Sequence, residues 1–500
     1  MLLVFPPLAK ACEPPPGIAS LAASLMAHGV PCRQLDANLE GQLWLLEQPP
    51  LATDTWSRRA YKGRSRNLAA LRDITTYQTP DRYRRVVSDL NRILALSATD
   101  GGVVVGLADY QHNTLSPLRS SDLIAAAQQP EQNPFFPYFS QRLPSVLDGV
   151  STVGFSLNYL SQALCTFAMI GYVKKQYPAL KIVVGGGLVT SWLHRPGWCS
   201  PFGTLVDHLI SGPGEEPLLV LLGRDGALKR HVLPDYTSMP LAEYFSPGLI
   251  LPYSAGRGCY WNHCSFCPER AEGNRYHPVP VSHVLSDLRL LVEQVEPRLI
   301  HLLDNAISPG LLHALAKHPP GAPWYGFARI DERLGDLEFC KALKRSGCVM
   351  LKLGLESGDQ GVLNRMSKGI NLGVASRVLN NLHNAGIAVY CYLLFGTPAE
   401  TVVEARRTLG FVTAHHQTIN FLNLALFNMP LHGDESPEYA HKPFYEGDLS
   451  LYTAFRHPGA WDRKLVRHFI DREFKRHPAI AAIVRNDPLH FSSSHAALFC

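Results

Sequence analysis

The feature that most constrains this chain is a repeated alternation of short apolar runs with amphipathic helical stretches. Near the start, "LLVFPP" precedes "GIASLAASLMAHGV", and further on "STVGFSLN" precedes "LSQALCTFAMIGYVKKQYP". Strands that alternate with helices form parallel sheets covered by helices. The sequence therefore predicts an α/β protein that begins with a doubly wound, Rossmann-like parallel sheet.

The first domain is predicted over residues 1–225, with strands at "LLVFPP", "CRQLDAN", "STVGFSLN", "KIVVGGG" and "LVDHLIS". Residues 38–150 separate the second strand from the third, and a connection this long is typical of a functional insertion or a flexible segment. Its arginines are expected to face solvent on helices, with phosphate contacts as the alternative. They are Arg58, Arg59, Arg64, Arg66, Arg72, Arg82, Arg84 and Arg85. Residues 226–247, with prolines and turn residues, predict a linker.

The alternation returns over residues 248–430, where six apolar strands follow one another. Six strands suit a partial (β/α)6 barrel of the TIM type, whose chemistry gathers at the carboxyl ends of the strands. Residues 431–500 are rich in histidine, proline and charge, and predict a mainly helical C-terminal extension that caps the open side of the barrel. We expect His432 and His441 to be surface residues, and we assign no role to Cys500.

Charge and cysteine content disfavour several classes of protein. The 47 basic and 42 acidic residues give a net charge of +5, which is mild for a dedicated nucleic-acid binder. Eleven cysteines in 500 residues are too sparse for a secreted disulfide framework. The first residues read as a strand rather than a signal peptide, and no apolar run approaches the ~18 residues of a transmembrane helix. These features predict a cytoplasmic protein without a transmembrane segment.

Three cysteines lie within nine positions in "SAGRGCYWNHCSFCPER", residues 254–270. Four residues separate Cys259 from Cys264, and two separate Cys264 from Cys267. Four thiolates would close a zinc site or saturate a four-iron cluster, whereas three leave one metal position open. A zinc site completed by His263 or by a distant cysteine such as Cys340 is the alternative.

This stretch resembles the cluster-binding loop of the radical S-adenosylmethionine (radical SAM) superfamily, including the aromatic residue before the last cysteine. Two later stretches agree: "LKLGLESGDQGVLNRMSKG" resembles the fourth-strand signature, and "LLFGTPAET" resembles the GxPxET element of the fifth strand. The resemblance covers residues 248–430. It implies that Cys259, Cys264 and Cys267 hold a [4Fe-4S] cluster whose open iron chelates SAM, and that reductive cleavage of SAM yields a 5′-deoxyadenosyl radical. Four residues between the first two cysteines, instead of the commoner three, are familiar in members with a cobalamin-type N-terminal domain.

The resemblance also implies a set of SAM contacts at the strand ends. They are Phe266, Asp304, Asn305, Arg329, Glu356, Ser357 and Gly396. Glu356 has an alternative as a buried, paired carboxylate, and Arg329 has one as an ion pair with Asp331. Cys391 is a candidate catalytic hydrogen donor, but it alternates with Tyr390 on one strand, so only one of the two can face the barrel interior. The alternative for Cys391 is core packing.

The first domain resembles the cobalamin (B12)-binding domains that precede many radical SAM barrels. Glycines at a strand end let the backbone approach a nucleotide-like tail, and the candidate contacts are Ser156, Gly185, Gly186 and Gly187. The signature Asp-x-His-x-x-Gly is absent: in the nearest similar stretch two residues, not one, separate Asp109 from His112, and Leu115 stands where glycine would be. No lower cobalt ligand is therefore predicted. A cofactor-free domain that shapes the substrate pocket is the alternative.

Together, the two resemblances imply a cobalamin-dependent radical SAM methyltransferase that acts on an unactivated carbon. They imply a small-molecule, lipid or peptide substrate, and an external electron donor such as flavodoxin or ferredoxin. One alternative keeps the radical SAM barrel but performs ring formation, oxidation or another group transfer. The other alternative is a metal-bearing module that binds nucleic acid, which the mild charge disfavours.

Overall fold

The computed structural model describes residues 1–49, 54–98, 102–225, 231–433, 435, 437–439, 441–443, 447–488 and 492–499. The chain forms two compact units. The first comprises Met1–Leu249, Tyr445–Leu451 and Leu489–Phe491, and the second comprises Ile250–Phe444, Tyr452–Pro488 and Ser492–Cys500. Cys500 itself lies outside the described residues.

The first unit is built on a five-stranded parallel sheet. Its strands are β1 (Leu2–Phe5), β2 (Arg33–Asp36), β3 (Thr152–Ser156), β4 (Lys181–Gly185) and β5 (His208–Leu209). The spatial order is β2-β1-β3-β4-β5, so the winding reverses between β1 and β3. This confirms the predicted doubly wound sheet, and such a reversal opens a crevice at the carboxyl ends of the two central strands. The connecting helices are Pro16–Ala27, Leu160–Gln176, Gly187–Leu193 and Glu215–Leu221.

The inserted segment between β2 and β3 is mainly helical where it is described. Its helices are Ala37–Glu47, Thr55–Lys62, Arg64–Leu71, Ile74–Tyr77, Pro80–Ser97, Ser120–Gln128 and Phe136–Leu147, and its strands Val103–Val105 and Tyr110–His112 form a hairpin. Gly171 allows the helix after β3 to touch this insertion, because any β-carbon there would overlap the backbone of Ala127. Of the eight arginines singled out, the exposed ones are Arg58, Arg59, Arg66, Arg82 and Arg85.

The predicted linker is packed rather than extended where it is described, over residues 231–247. Tyr244 and Phe245 are buried. The hydroxyl of Tyr244 donates to Asp36 Oδ2 at 2.7 Å, and the N–H of Phe245 donates to the carbonyl of Ala11 at 2.8 Å. This segment therefore belongs to the first unit, and the division between units falls after Leu249.

The second unit contains a six-stranded parallel sheet, as predicted for a partial (β/α)6 barrel. Its strands are β6 (Ile250–Tyr253), β7 (Leu299–Leu302), β8 (Trp324–Ala328), β9 (Cys348–Glu356), β10 (Ala388–Phe395) and β11 (Phe421–Leu426). They lie side by side in chain order. The helices between them are Pro268–Ala271, Val281–Val295, Pro309–Lys317, Leu337–Arg345, Gln360–Arg365, Leu372–Asn384 and Val402–Ala414.

Strand register shows which residues face the helices and which face the interior. Tyr253 donates its hydroxyl to Asp287 Oδ2 on the helix Val281–Val295, at 2.6 Å, so its face of the sheet is covered by helices. Register places the following residues on that same face: Leu302, Gly326, Leu351 and Val389. The opposite face, which we call the lumen, carries Pro252, His301, Tyr325, Phe327, Met350, Lys352, Tyr390 and Phe421.

The C-terminal extension is mainly helical, as predicted, but it also contains a small antiparallel sheet. The helical segments are Arg463–Phe469, Ile470–Phe474, Pro478–Asn486 and Ser492–Phe499, and the strands are Met429–Pro430, His441–Pro443 and Tyr452–Phe455. Ala496 packs in one apolar cluster with Ile250, Leu299 and Met350, which lie near the starts of their strands. The last segment therefore fills the amino-terminal end of the lumen, opposite the end where the cysteines follow β6. None of the described helices is long and apolar enough to cross a membrane.

Candidate active site

The three cysteines lie in a loop that begins just after β6, at the carboxyl end of the first barrel strand. Gly258 adopts φ +74°, and any β-carbon there would overlap the backbone of Arg275, so only glycine fits before Cys259. Cys264 is buried, and Cys259 and Cys267 are half-buried. The N–H of Cys267 donates to the carbonyl of Cys264 at 3.2 Å, which turns the chain between them. The local turn thus gathers the thiols at one strand end.

Two cations oppose the cost of ionising the Cys264 thiol. Burial raises the pKa of Cys264, while the charges of Lys368 and Arg329 lower it. Burial also raises the pKa of Cys267 to about 11, and backbone hydrogen bonds from the following turn act against this rise. A metal–sulfur cluster takes cysteine as the thiolate. The loop therefore lies where positive charge favours the ligand form.

The chemistry of the donor set fits a multinuclear iron–sulfur cluster. Thiolates are the ligands that such clusters take, and three of them leave one iron for another ligand. No three His, Cys, Asp or Glu side chains in the described parts of the chain are arranged to hold a metal ion. A single metal ion needs its ligands close together around one point. In a four-iron cluster each cysteine binds a different iron, so the three cysteines need not converge on one point.

An ion pair lies beside the cysteine loop at the end of β9. Lys368 Nζ is 2.8 Å from Glu356 Oε1, and both side chains are largely buried. The same ammonium lies 5.5 Å from the ring centroid of Phe266, which precedes Cys267. Glu356 has φ +66°, a left-handed conformation that is uncommon for a residue with a side chain. Glu356 is thus a buried, paired carboxylate at the strand end beside the cysteine loop, and Lys368 is the partner that the sequence did not identify.

Trp261 fixes the middle of the cysteine loop against a neighbouring turn. The guanidinium of Arg329 lies 3.9 Å above its ring centroid, and any β-carbon on Gly369 would overlap the ring. Arg329 also donates to the carbonyl of Lys368 at 2.7 Å. The ion pair proposed for Arg329 is not formed, because Asp331 pairs with Arg333 at 2.7 Å. Arg329 therefore joins the cysteine loop to the turn that follows β9.

Asp304 and Asn305 hold the start of the same loop. Asp304 is buried after β7 and accepts the N–H of Ala255 at 3.1 Å. Burial raises the pKa of Asp304 to about 6. Asn305 donates to the carbonyl of Gly258 at 3.3 Å. Both predicted SAM contacts thus lie at the strand end next to the cysteines, and both bind the loop backbone.

Ser357 and Gly396 lie close to this site but already have protein partners. The fully buried Ser357 hydroxyl is 3.1 Å from Thr408 Oγ1 on the helix Val402–Ala414, so contact with a ligand would require this pair to open. The N–H of Gly396 donates to Glu400 Oε2 at 2.6 Å. Glu400 is fully buried, and Trp461 Nε1 donates to the same oxygen at 3.1 Å. Burial raises the pKa of Glu400 to about 7, which favours the neutral acid.

Cys391 faces the helices rather than the lumen. It is fully buried and follows Val389 on the helix-covered face of β10, whereas Tyr390 pairs in register with Lys352 on the lumen face. Burial holds the pKa of Cys391 well above its usual range. The geometry therefore favours the core-packing alternative over the catalytic hypothesis.

In the first unit, Ser156, Gly185 and Gly187 meet at the carboxyl ends of β3 and β4. Asn158, which the sequence did not single out, joins them: its Nδ2 donates to Ser156 Oγ at 3.0 Å, and its Oδ1 accepts the N–H of Gly187 at 3.0 Å. Gly187 is exposed and has space around it. Gly186 differs, because it has φ +109° and a β-carbon would lie 2.9 Å from Asn158 Oδ1. The fold itself therefore requires glycine at 186, whatever binds nearby.

His112 makes a local turn at the end of the insertion's hairpin. Its Nδ1 accepts the N–H of Leu115 at 3.0 Å. Burial lowers the pKa of His112. This ring nitrogen is occupied by the backbone, in keeping with the absence of the Asp-x-His-x-x-Gly signature.

Comparison with known proteins agrees with this arrangement. Residues 253–412 match the Radical SAM superfamily. The match begins at the last residue of β6 and includes the cysteine loop, the Glu356 strand end and the "GTPAET" element. Residues 253–412 therefore form a radical SAM domain, in agreement with the resemblance that the cysteine loop and the two later stretches indicated.

Two curated relatives are methyltransferases. The chain is 26% identical over 277 residues to bacteriochlorophyllide d C-12(1)-methyltransferase of Chlorobaculum tepidum, covering 52% of this chain and 59% of the relative. It is 24% identical over 189 residues to an uncharacterized methyltransferase of Pyrococcus horikoshii, covering 36% of this chain and 40% of the relative. The chain thus spans little more than half of the first relative and less than half of the second.

Two solved structures share the fold. One is the radical SAM methyltransferase TsrM of Kitasatospora setae with cobalamin and a [4Fe-4S] cluster bound, at 15% identity and a TM-score of 0.53, covering 88% of this chain and 77% of that one. The other is the cobalamin-dependent radical SAM enzyme OxsB with aqua-cobalamin bound, at 15% identity and a TM-score of 0.50, covering 67% and 60%. At this identity the likeness concerns the fold, and it extends beyond the barrel.

Proposed function

We propose that this protein is a cobalamin-dependent radical SAM methyltransferase that acts on an unactivated carbon. The observation that carries the proposal is the combination of a three-cysteine loop at a barrel strand end with a doubly wound sheet of order 2-1-3-4-5 in the same chain. When bound, a [4Fe-4S] cluster supplies an electron to the sulfonium of SAM, and cobalamin supplies a methyl group. The protein contributes binding, orientation and charge.

In this proposal Cys259, Cys264 and Cys267 are the protein ligands of the cluster. Lys368 and Arg329, whose charges lower the pKa of Cys264, counter the negative charge that three thiolates bring to a buried site. Trp261 and Asp304 hold the loop backbone in place on either side of Cys259. The remaining proposed SAM contacts lie around the same strand ends, and they are Phe266, Asn305, Arg329, Glu356, Ser357 and Gly396.

The proposed cobalamin contacts lie at the carboxyl ends of β3 and β4, and β3 borders the point where the winding of the first sheet reverses. Ser156 ends β3 and Asn158 follows it, and the exposed Gly187 follows β4 with room for a ligand. Tyr159, more than half exposed, adds an aromatic surface directly after Asn158. This set of backbone, hydroxyl and aromatic groups fits a nucleotide-like tail. The substrate is proposed to be a small molecule, lipid or peptide, and the electrons to come from a flavodoxin or ferredoxin.

The cluster assignment is tested by counting iron in anaerobically purified protein. The wild type should hold about four irons per chain, and alanine at any one of the three loop cysteines should remove the intact cluster together with SAM cleavage. Cys340→Ala, at a buried cysteine on the helix Leu337–Arg345, is the matched control and should keep its iron. A full cluster in any of the three loop variants would refute the ligand set.

The cobalamin assignment is tested by reconstitution and absorption spectroscopy. The wild type should bind about one cobalamin and show a corrin band, and Gly187→Leu should lose the band while keeping its iron. His112→Ala should leave the band unchanged, because no histidine is proposed to ligate the cobalt. If the wild type binds iron but no cobalamin, the methyltransferase proposal fails and radical SAM chemistry of another kind takes its place.

A further inference from the structure

The turn that follows β10 carries Gly396, a proposed SAM contact, and it is closed by hydrogen bonds of its own residues. Gly396 has φ +83°, and its N–H donates to Oε2 of Glu400 at 2.6 Å. The N–H of Glu400 in turn donates to the carbonyl of Thr397 at 2.9 Å. Both Thr397 and Glu400 are buried. The conformation of Gly396 therefore depends on where the buried Glu400 carboxyl is held.

Trp461, in the C-terminal extension, holds that carboxyl from a second side. Its Nε1 donates to the same Oε2 atom of Glu400 at 3.1 Å. Trp461 is buried, and its ring packs against Phe469 with centroids 5.9 Å apart. Oε2 thus receives one hydrogen bond from the turn and one from the extension. A change at Trp461 acts on the Gly396 N–H through this shared atom.

His457 joins the same two segments through both nitrogens of its ring. Its Nδ1 accepts the N–H groups of Gly459 and Trp461, at 3.0 and 3.2 Å. Nε2 therefore carries the proton, and it donates to the carbonyl of Thr397 at 2.8 Å. This arrangement requires a neutral imidazole, and burial lowers the pKa of His457 accordingly. One side chain thus fixes both the turn and the backbone that presents Trp461.

The helix Arg463–Phe469 packs directly against the turn. A β-carbon on Gly396 would lie 3.0 Å from Cγ2 of Val466 on this helix. Phe469, at the end of the helix, packs against Phe395 with centroids 6.0 Å apart. The extension therefore contacts the residue before Gly396 and Gly396 itself, in addition to the polar groups that follow.

We infer that His457 and Trp461 are positioning residues for SAM, which hold the turn in the conformation in which Gly396 meets SAM. Glycine has the greatest backbone freedom of any residue, so a turn built on it binds a ligand tightly only when other groups fix it beforehand. The match to the radical SAM superfamily covers residues 253–412, and both residues lie beyond it. The inference rests on the proposed function, in which Gly396 is a SAM contact, but it needs neither cobalamin nor a particular substrate.

The test measures the dissociation constant of SAM by calorimetric titration of anaerobically reconstituted protein, without cobalamin or reductant. Trp461→Phe keeps a packed ring but removes the donor, and His457→Phe removes both ring nitrogens. Each should raise the dissociation constant about tenfold, as expected when a lost hydrogen bond leaves a buried partner unsatisfied. Iron content should stay at about four per chain. With dithionite as reductant, the rate of SAM cleavage at saturating SAM should stay close to that of the wild type.

Two further variants separate positioning from stability. His457→Gln tests rescue, because its amide can still donate to the carbonyl of Thr397, and its affinity for SAM should be closer to the wild type than that of His457→Phe. Ile480→Ala is the control, since Ile480 is fully buried on the helix Pro478–Asn486 and its side chain has no hydrogen-bonding atom. It should lower the melting temperature of the metal-free protein and leave the dissociation constant of SAM unchanged.

Wild-type affinity for SAM in both phenylalanine variants would overturn the inference. An equal loss of affinity in Ile480→Ala would also overturn it, because reduced stability alone would then explain the result. If one phenylalanine variant fails to fold, the other variant and His457→Gln still decide the matter. Failure of the proposed function is distinguishable, because the wild type itself would then hold no cluster or bind no SAM, and the inference would fall with it.

Discussion

Replacing Lys368 with methionine tests whether the ion pair beside the cysteine loop stabilises the second unit. The ammonium is 2.8 Å from Glu356 Oε1, and the two side chains are 10% and 13% exposed. Methionine keeps most of the length of lysine but leaves the Glu356 carboxylate buried without its partner. Breaking a buried pair in this way costs about 3–5 kcal/mol. For a unit of this size that corresponds to a drop in melting temperature of roughly 6–20 °C.

The assay is differential scanning calorimetry of the metal-free protein, which separates the stability of the fold from that of the cluster. Lys341→Met is the matched control, because its partner Glu338 is an exposed residue on the same helix. Such a surface pair contributes at most about 1 kcal/mol. The double variant Lys368→Met with Glu356→Gln should recover part of the loss, because no uncompensated charge remains.

The Lys368–Glu356 ion pair also contributes to the electrostatics of the cysteine loop. Since the charge of Lys368 lowers the pKa of Cys264, its loss should weaken cluster binding in addition to lowering stability. Iron content of Lys368→Met, measured below its lowered melting temperature, should fall relative to the Lys341→Met control. A melting temperature and an iron content equal to those of the wild type would refute this reasoning.

Three further predictions follow from single positions. Gly369→Ala should displace Trp261, because the new β-carbon would overlap the Trp261 ring and residue 369 has φ +67°. The displaced loop should hold less iron, and an unchanged iron content would contradict this. Gly186→Leu should destabilise the first unit in thermal unfolding even without cobalamin, whereas the open position Gly187 should accept leucine with little loss. Burial raises the pKa of Glu400 from 4.5 to about 7, so the folded state retains a proton that the unfolded state loses. Stability should therefore fall as the pH rises from about 4.5 to about 7, and Glu400→Gln should reduce this loss in urea unfolding at pH 5 and 7.

Local sequence patterns were sufficient to predict the architecture. The alternation of apolar runs and amphipathic stretches predicted both parallel sheets. Strands and helices each have a characteristic spacing of apolar residues, and this spacing can be read from a short segment of sequence. The resemblance of the cysteine loop and of two later stretches to known motifs predicted the radical SAM domain, and the three cysteines could be identified because they lie within one short loop. Prolines and turn residues in the predicted linker do not reveal that Tyr244 packs on Asp36, 208 positions away, because that contact depends on how distant segments fold together.

The partners of the site residues depended on the tertiary structure. Sequence left open whether Glu356 is paired, whether Cys391 or Tyr390 faces the lumen, and where the Ser357 hydroxyl points. Each answer depends on strand register or on a contact between distant segments, such as the 51 positions between Ser357 and Thr408.

Lys352 shows most directly what the sequence determines and what the tertiary structure decides. In the sequence it is one charged residue in the apolar run "CVMLKLGLE", with no local signal of a partner. Its neighbour His301 is 51 positions away, and Tyr325 and Phe327 lie on the strand between them. The sequence determined that Lys352 lies in a strand, because alternation and apolar content are local properties. Only the parallel register of three strands decided that it faces the lumen beside an imidazole and two aromatic rings.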